Sequence, residues 1–158
     1  MENKKVGLNN NTKKANMHKY ALIFTVVSIV FGGLIGFVLE AIKVNTSLGN
    51  VFGVIVGAYF AGCIFAKDTG VDVSEEQRKS FVWYGLIYST IAWFNMLAIL
   101  GFLPLIGTLL SSAKLVLIAL TIMFVVYFIY YWIMKILFGK GVSSSLDKNL
   151  QSEDQLKG

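Results

Sequence analysis

Four apolar stretches, each about long enough to cross a bilayer, occupy residues 20–39, 48–66, 81–103 and about 115–133. A helix rises about 1.5 Å per residue, so roughly 20 apolar residues span a hydrocarbon core of about 30 Å. Lipid offers no partner to a backbone N–H or C=O, so each stretch must satisfy its own and is predicted to be helical. The expected fold is all-α: a polytopic membrane protein whose four transmembrane helices form one domain, 20–134. The chain is 56% hydrophobic and 15% charged, above the roughly 45–50% apolar share of a soluble domain. The polar tails, 1–19 and 135–158, are too short to bury cores of their own.

Charge sets the expected orientation. A net charge of +5 in a soluble chain would point to nucleic acid, but the positions of the charges explain it better. Twelve of the fourteen basic residues lie in the N-terminal tail, the second connection (Lys67, Arg78, Lys79) and the C-terminal tail. Only Lys43 and Lys114 fall on the other side. Cytoplasmic segments carry the excess Lys and Arg, so both termini are expected in the cytoplasm, and no nucleic-acid partner is expected. The N-terminal tail, with asparagines at 9–11, has little apolar surface to offset ordering and is expected to be mobile. Its lysines suit anionic lipid. His18 reads as a headgroup-level residue, because one histidine without partners is no metal site. The single Cys63 excludes an intramolecular disulfide and a metal site built on cysteines, and reads as a small apolar filler.

The second connection has clear local chemistry. Asp68-Thr69-Gly70 reads as a turn with a helix-ending glycine. Ser74-Glu75-Glu76-Gln77 reads as a capping box that starts the third helix near Glu75. Asp68, Asp72, Glu75 and Glu76 match no EF-hand spacing, and capping and solvation account for them. Pro104 is expected to stop the third helix. The apolar connection 104–114 is expected to lie in the outer interface, leaving room for a fourth helix from as early as Thr108. Tyr127, Tyr130, Tyr131 and Trp132 read as an aromatic belt, matched by Phe81, Trp83 and Tyr84 on the third helix.

The sharpest pattern is a ridge of small residues. Gly49, Gly53, Gly57 and Ala61 recur every four residues on the second helix, and Ser28, Gly32 and Gly36 do so on the first. Such ridges let backbones approach, and helices in lipid associate through close packing rather than a hydrophobic driving force. A short connection joins these two helices, so the ridges are expected to face each other within one chain. A homodimer seam and a pore lining are the alternatives.

Three polar positions are candidates for function: Glu40, Tyr88 and Asn95. Glu40 continues the first ridge. A carboxyl near the membrane invites a coupling role, while pairing with Lys43, three residues on, is the structural reading. Tyr84, Tyr88 and Asn95 share one face of the third helix. Asn95 suits either a substrate path or interhelical glue. No Ser-His-Asp set, metal-ligand cluster or phosphate loop occurs, so no enzyme activity, cofactor or metal is expected.

The second helix and its following loop carry a resemblance. Ala58-Tyr59-Phe60-Ala61-Gly62, Phe65, Asp68, Gly70, Ser74, Glu76 and Arg78 resemble an uncharacterised family of small four-helix bacterial membrane proteins. The match covers about a quarter of the chain. It implies a four-span inner-membrane fold and a bacterial source, and brings no activity or catalytic residues.

The expected function is therefore non-enzymatic: an inner-membrane protein that binds another membrane component. One concrete version is immunity-type protection against a membrane-inserting toxin. The alternative is a small homo-oligomeric transporter or channel. The expected partners are the lipid bilayer and either another membrane protein or a second copy of the chain.

Overall fold

A computed structural model of the chain describes residues 15–45, 47–99, 101, 104, 107 and 111–156. Most of the basic N-terminal tail, residues 105–106 and 108–110 of the 104–114 connection and thus the Thr108 start lie outside the described residues. Four long helices dominate the rest: α1 (Met17–Ala41), α2 (Ser47–Thr69), α3 (Glu75–Ile99) and α4 (Ala113–Leu156). All four are long and apolar enough to cross a membrane.

Local signals account for several helix ends. Asn16 caps α1, its side chain accepting from His18 N at 3.1 Å, so the helix begins before the apolar run does. Gly70 closes α2. Its φ of 65° is left-handed, and its N–H donates to the Ala66 carbonyl at 2.8 Å; glycine takes this conformation without a Cβ clash. Ser74 and Gln77 form the reciprocal capping box of α3: Gln77 N donates to Ser74 Oγ at 3.2 Å, and Ser74 N donates to Gln77 Oε1 at 2.9 Å.

Two boundaries differ from the sequence reading. The third helix ends at Ile99, before Pro104, where Gly101 adopts φ 76° and donates to Ala98 O at 3.2 Å. A glycine, not the proline, turns the chain. The fourth helix runs on through the expected polar tail for 44 residues in all. At about 1.5 Å per residue that is about 66 Å, over twice a hydrocarbon core. Residues 135–156 are thus helical, and Phe138 and Val142 are fully buried in the core. The low share of apolar residues there hides two that face inward.

The helices close into a ring in the order α1, α2, α4, α3, with the α1–α2 contact the most extensive. At that contact backbone meets backbone. A Cβ on Gly49 would stand 2.7 Å from Gly32 O and from Gly36 N, and one on Gly53 would stand 2.9 Å from Gly32 Cα. One on Gly57 would meet the Ser28 hydroxyl and, at 2.9 Å, the Phe24 carbonyl. The two ridges therefore face each other within the chain. Further along, α2 makes a second close contact, where Gly62 lies against the Phe138 carbonyl of α4 and Gly141 lies against Tyr59 O.

Aromatic rings tie the four helices together. Tyr20 of α1 meets Phe65 of α2 edge-on at 5.2 Å between centroids, and Phe65 meets Phe138 of α4 at 5.7 Å. Phe138 stacks on Phe81 of α3 at 3.9 Å, and Phe81 meets Phe24 of α1 edge-on at 5.7 Å. Phe81 is thus fully buried and is no member of an interfacial belt. Outside this core the helices expose large apolar side chains, with Phe37 at 74% and Ile99 at 84%. Contiguous apolar surface of this kind is untenable in water and suits lipid.

The glycine contacts give a direct test. Gly53→Ile must push α1 and α2 apart and is expected to cost about 1–3 kcal/mol by overpacking. Gly33 has open space where a Cβ would stand, with nothing within 4 Å, and should accept Ala without loss. Thermal unfolding in detergent compares the two, with size measured in parallel. If Gly53→Ile split a dimer and left the monomer as stable as before, the ridge would be an intermolecular seam.

Candidate functional site

The packed core occupies the end of the bundle nearest the α2–α3 connection. Away from it a cleft of about 540 Å³ remains among the helices. Phe24 and Met134, both buried, form its floor. Leu86, Trp93 and Leu97 of α3 and Met123, Val126 and Tyr127 of α4 supply much of its apolar wall. Trp93, Phe94 and Met123 are 44%, 56% and 45% exposed, so its rim opens outward, where these apolar helices meet lipid.

A few polar groups line this wall. Thr25 donates to Ala21 O at 2.9 Å, and Thr90 donates to Leu86 O at 2.7 Å, each closing on its own helix. The Thr90 hydroxyl also meets the Tyr127 hydroxyl, the one polar link between α3 and α4 inside the cleft among the described residues. Ser28 Oγ is buried over Gly57 with no hydrogen-bond partner among the described residues. Asn50, Ser89 and Tyr130 add to the polar lining, and no charged side chain belongs to it among the described residues. The chemistry available is neutral hydrogen bonding in an apolar surround. Among the described lining residues neither general base nor metal ligand sits beside a hydroxyl.

The three polar candidates do not converge on this cleft. Asn95 is exposed and donates back to Ile91 O of its own helix at 2.8 Å, and among the described residues it neither lines the cleft nor bonds to another helix. Tyr88 turns the other way: its hydroxyl lies 2.8 Å from His18 Nδ1, while the Tyr84 ring lies against His18 at 3.7 Å between centroids, tilted by 31°. This His–Tyr cluster fastens the start of α1 to α3. Glu40 is exposed at the end of α1, and the pairing with Lys43 is not made among the described residues. Lys43 lies past the helix end at φ 58°, so the helical spacing that would bring the two together is broken.

Sequence reasoning misses Ser28, Asn50, Ser89, Thr90 and Tyr127 as a group. They come from four helices, and helical periodicity along one segment does not register them; in sequence Ser28 stands out only as part of the ridge.

The ion pairs lie at the opposite end. Lys19 holds Asp68 at 2.6 Å, with Tyr20 OH donating to the same carboxylate at 3.2 Å. Lys135 pairs with Glu75 and also lies over the Trp132 ring. These bonds join α1 to α2 and α3 to α4, and solvent at their carboxylates screens the attraction.

No family model, curated protein or solved structure matches the chain.

The geometry separates two polar residues by consequence. Asn95→Leu should change unfolding free energy by no more than about 0.5 kcal/mol, since its bond stays within one helix turn. Thr90→Val removes the contact with Tyr127 and should cost about 1 kcal/mol. Reversible unfolding in mixed micelles would reverse the assignment if Asn95→Leu proved the more damaging.

Proposed function

We propose that this chain is a non-enzymatic protein of the bacterial inner membrane that binds another membrane-embedded component in the cleft among its helices. The observation that carries the reading is the lining: an apolar wall, several neutral hydrogen-bonding groups and no charge among the described residues. Such a lining suits apolar side chains of a membrane helix together with one or two neutral polar groups. Ser28 Oγ, buried without a partner among the described residues, is a group that an occupant's polar atom would satisfy. One concrete version is immunity-type protection, in which the occupant is a helix of a membrane-inserting toxin. The transporter alternative draws no support from Glu40, which lies at a helix end and outside the cleft.

The same reading places both termini in the cytoplasm, supported by the twelve-to-two distribution of basic residues. A reporter that functions only outside the cytoplasm should be silent when fused after residue 158 and active when inserted at Asn45. Activity of the C-terminal fusion would overturn this orientation.

Occupancy is tested with a photo-crosslinking amino acid placed in cells at Trp93, on the rim, and at Phe37, away from the cleft. A discrete protein adduct is expected from Trp93 and none from Phe37. Lipid adducts alone at both positions, or coupled ion flux by the purified chain in liposomes, would displace this reading in favour of the transporter.

A further inference from the structure

We propose a second site, independent of whatever occupies the cleft, that binds a phosphate group of the kind carried by anionic lipid headgroups. It is an open cavity of about 810 Å³ where α4 meets the start of α3. One stripe of α4, Ile136, Lys140, Ser144 and Lys148, faces Arg78 of α3 and Tyr59 of α2 across it. Residues four apart on a helix stack on one face, so Lys140, Ser144 and Lys148 present their polar ends together.

Arg78 is the centre. Its guanidinium lies flat against Gly139 of α4, where a Cβ would stand 2.9 Å from Cζ and 3.0 Å from Nη1. The glycine therefore makes room for the arginine. Arg78 Nε is buried and has no hydrogen-bond partner among the described residues. The one carboxylate paired with Arg78 among them is Asp72, and its Oδ1 stands 3.9 Å from Nη2, at the outer limit of an ion pair. By contrast, Lys19 and Lys135 are engaged at close range by Asp68 and Glu75. A guanidinium held in place with donors to spare is a fork suited to phosphate oxygens.

The remaining groups add to it. Tyr59 OH donates to Ser144 Oγ at 3.0 Å, which leaves the Ser144 proton free to donate into the cavity. Ser143 is spent on Gly139 O at 3.1 Å. Asp147 is the one acid among the described lining residues, set against three cations. Lys140 and Lys148 are exposed and contribute long-range attraction. Ile136, 49% exposed, lies one turn beyond Trp132 and gives the cavity an apolar rim where acyl chains meet a headgroup. Basic pockets between transmembrane helices at this level are a recurrent lipid-headgroup device.

The test uses the full chain purified in uncharged detergent, with native mass spectrometry and thermal unfolding as readouts. Phosphatidylglycerol is compared with phosphatidylcholine, and inorganic pyrophosphate forms a third arm. Wild type should retain phosphatidylglycerol at least about ten-fold over phosphatidylcholine, since exposed lysines at a membrane surface favour anionic lipid. The double variant Lys140→Gln/Lys148→Gln should lose most of that preference while unfolding at an unchanged temperature without lipid. Arg78→Lys keeps the charge but not the fork, and should lose it too. The paired control Lys43→Gln/Lys114→Gln should retain it. Equal loss in that control would reduce the effect to diffuse charge and overturn the site, as would equal retention in every variant. Stabilisation by pyrophosphate without lipid preference would assign the phosphate to a soluble ligand; a response to neither would overturn the proposal.

Discussion

Close approach of α2 to two neighbours is the constraint on which the rest depends. Lipid supplies no hydrophobic reason for helices to associate, so contact must come from packing. Gly49, Gly53 and Gly57 bring α2 onto the backbone of α1, and Gly62 brings it onto α4. One helix is thereby fixed on two sides by residues with no side chain. The aromatic circuit through Phe65 and Phe138 forms only because those approaches hold the rings within 6 Å of one another.

That arrangement is polarised along the bundle. The buried residues Met17, Phe24, Phe65, Phe81 and Phe138 gather toward one end, reinforced by ion pairs at Asp68 and Glu75. Toward the other end the Thr90–Tyr127 contact links α3 to α4 among the described residues, and the cleft lies among the helices there. The phosphate site belongs to the packed end, where Gly139 and Gly141 place α4 against Arg78 and Tyr59. The two sites thus share α4 but draw on different segments of it.

Polar residues are placed by their partners rather than by their depth. Asn95 is the most central strongly polar side chain of its span in sequence, yet it folds back on its own helix. Tyr88, seven residues earlier, finds His18 across seventy positions of chain. Both satisfy the rule that polar groups in or near lipid must be bonded. Which bond each makes depends on what the neighbouring helix offers at that level.

Much of the architecture is legible in the sequence because it follows from local chemistry. Apolar runs of about 20 residues require helices in lipid; Gly70, Ser74 and Gln77 mark a helix end and a helix start by backbone geometry alone; and glycines four apart announce a face that permits close packing. The helical extension beyond Lys135 was not legible, because polar composition conceals that Phe138 and Val142 point inward. Nor was the role of Phe81, since an aromatic near a membrane boundary looks alike whether it faces headgroups or core. The cleft and the Arg78 cavity are each assembled from residues on separate helices. Sequence alone determined which segments are long and apolar enough to cross and which faces pack closely. Tertiary structure decided where the helices diverge and which polar groups are left unpartnered, because both depend on the relative placement of helices that periodicity within any one of them does not encode.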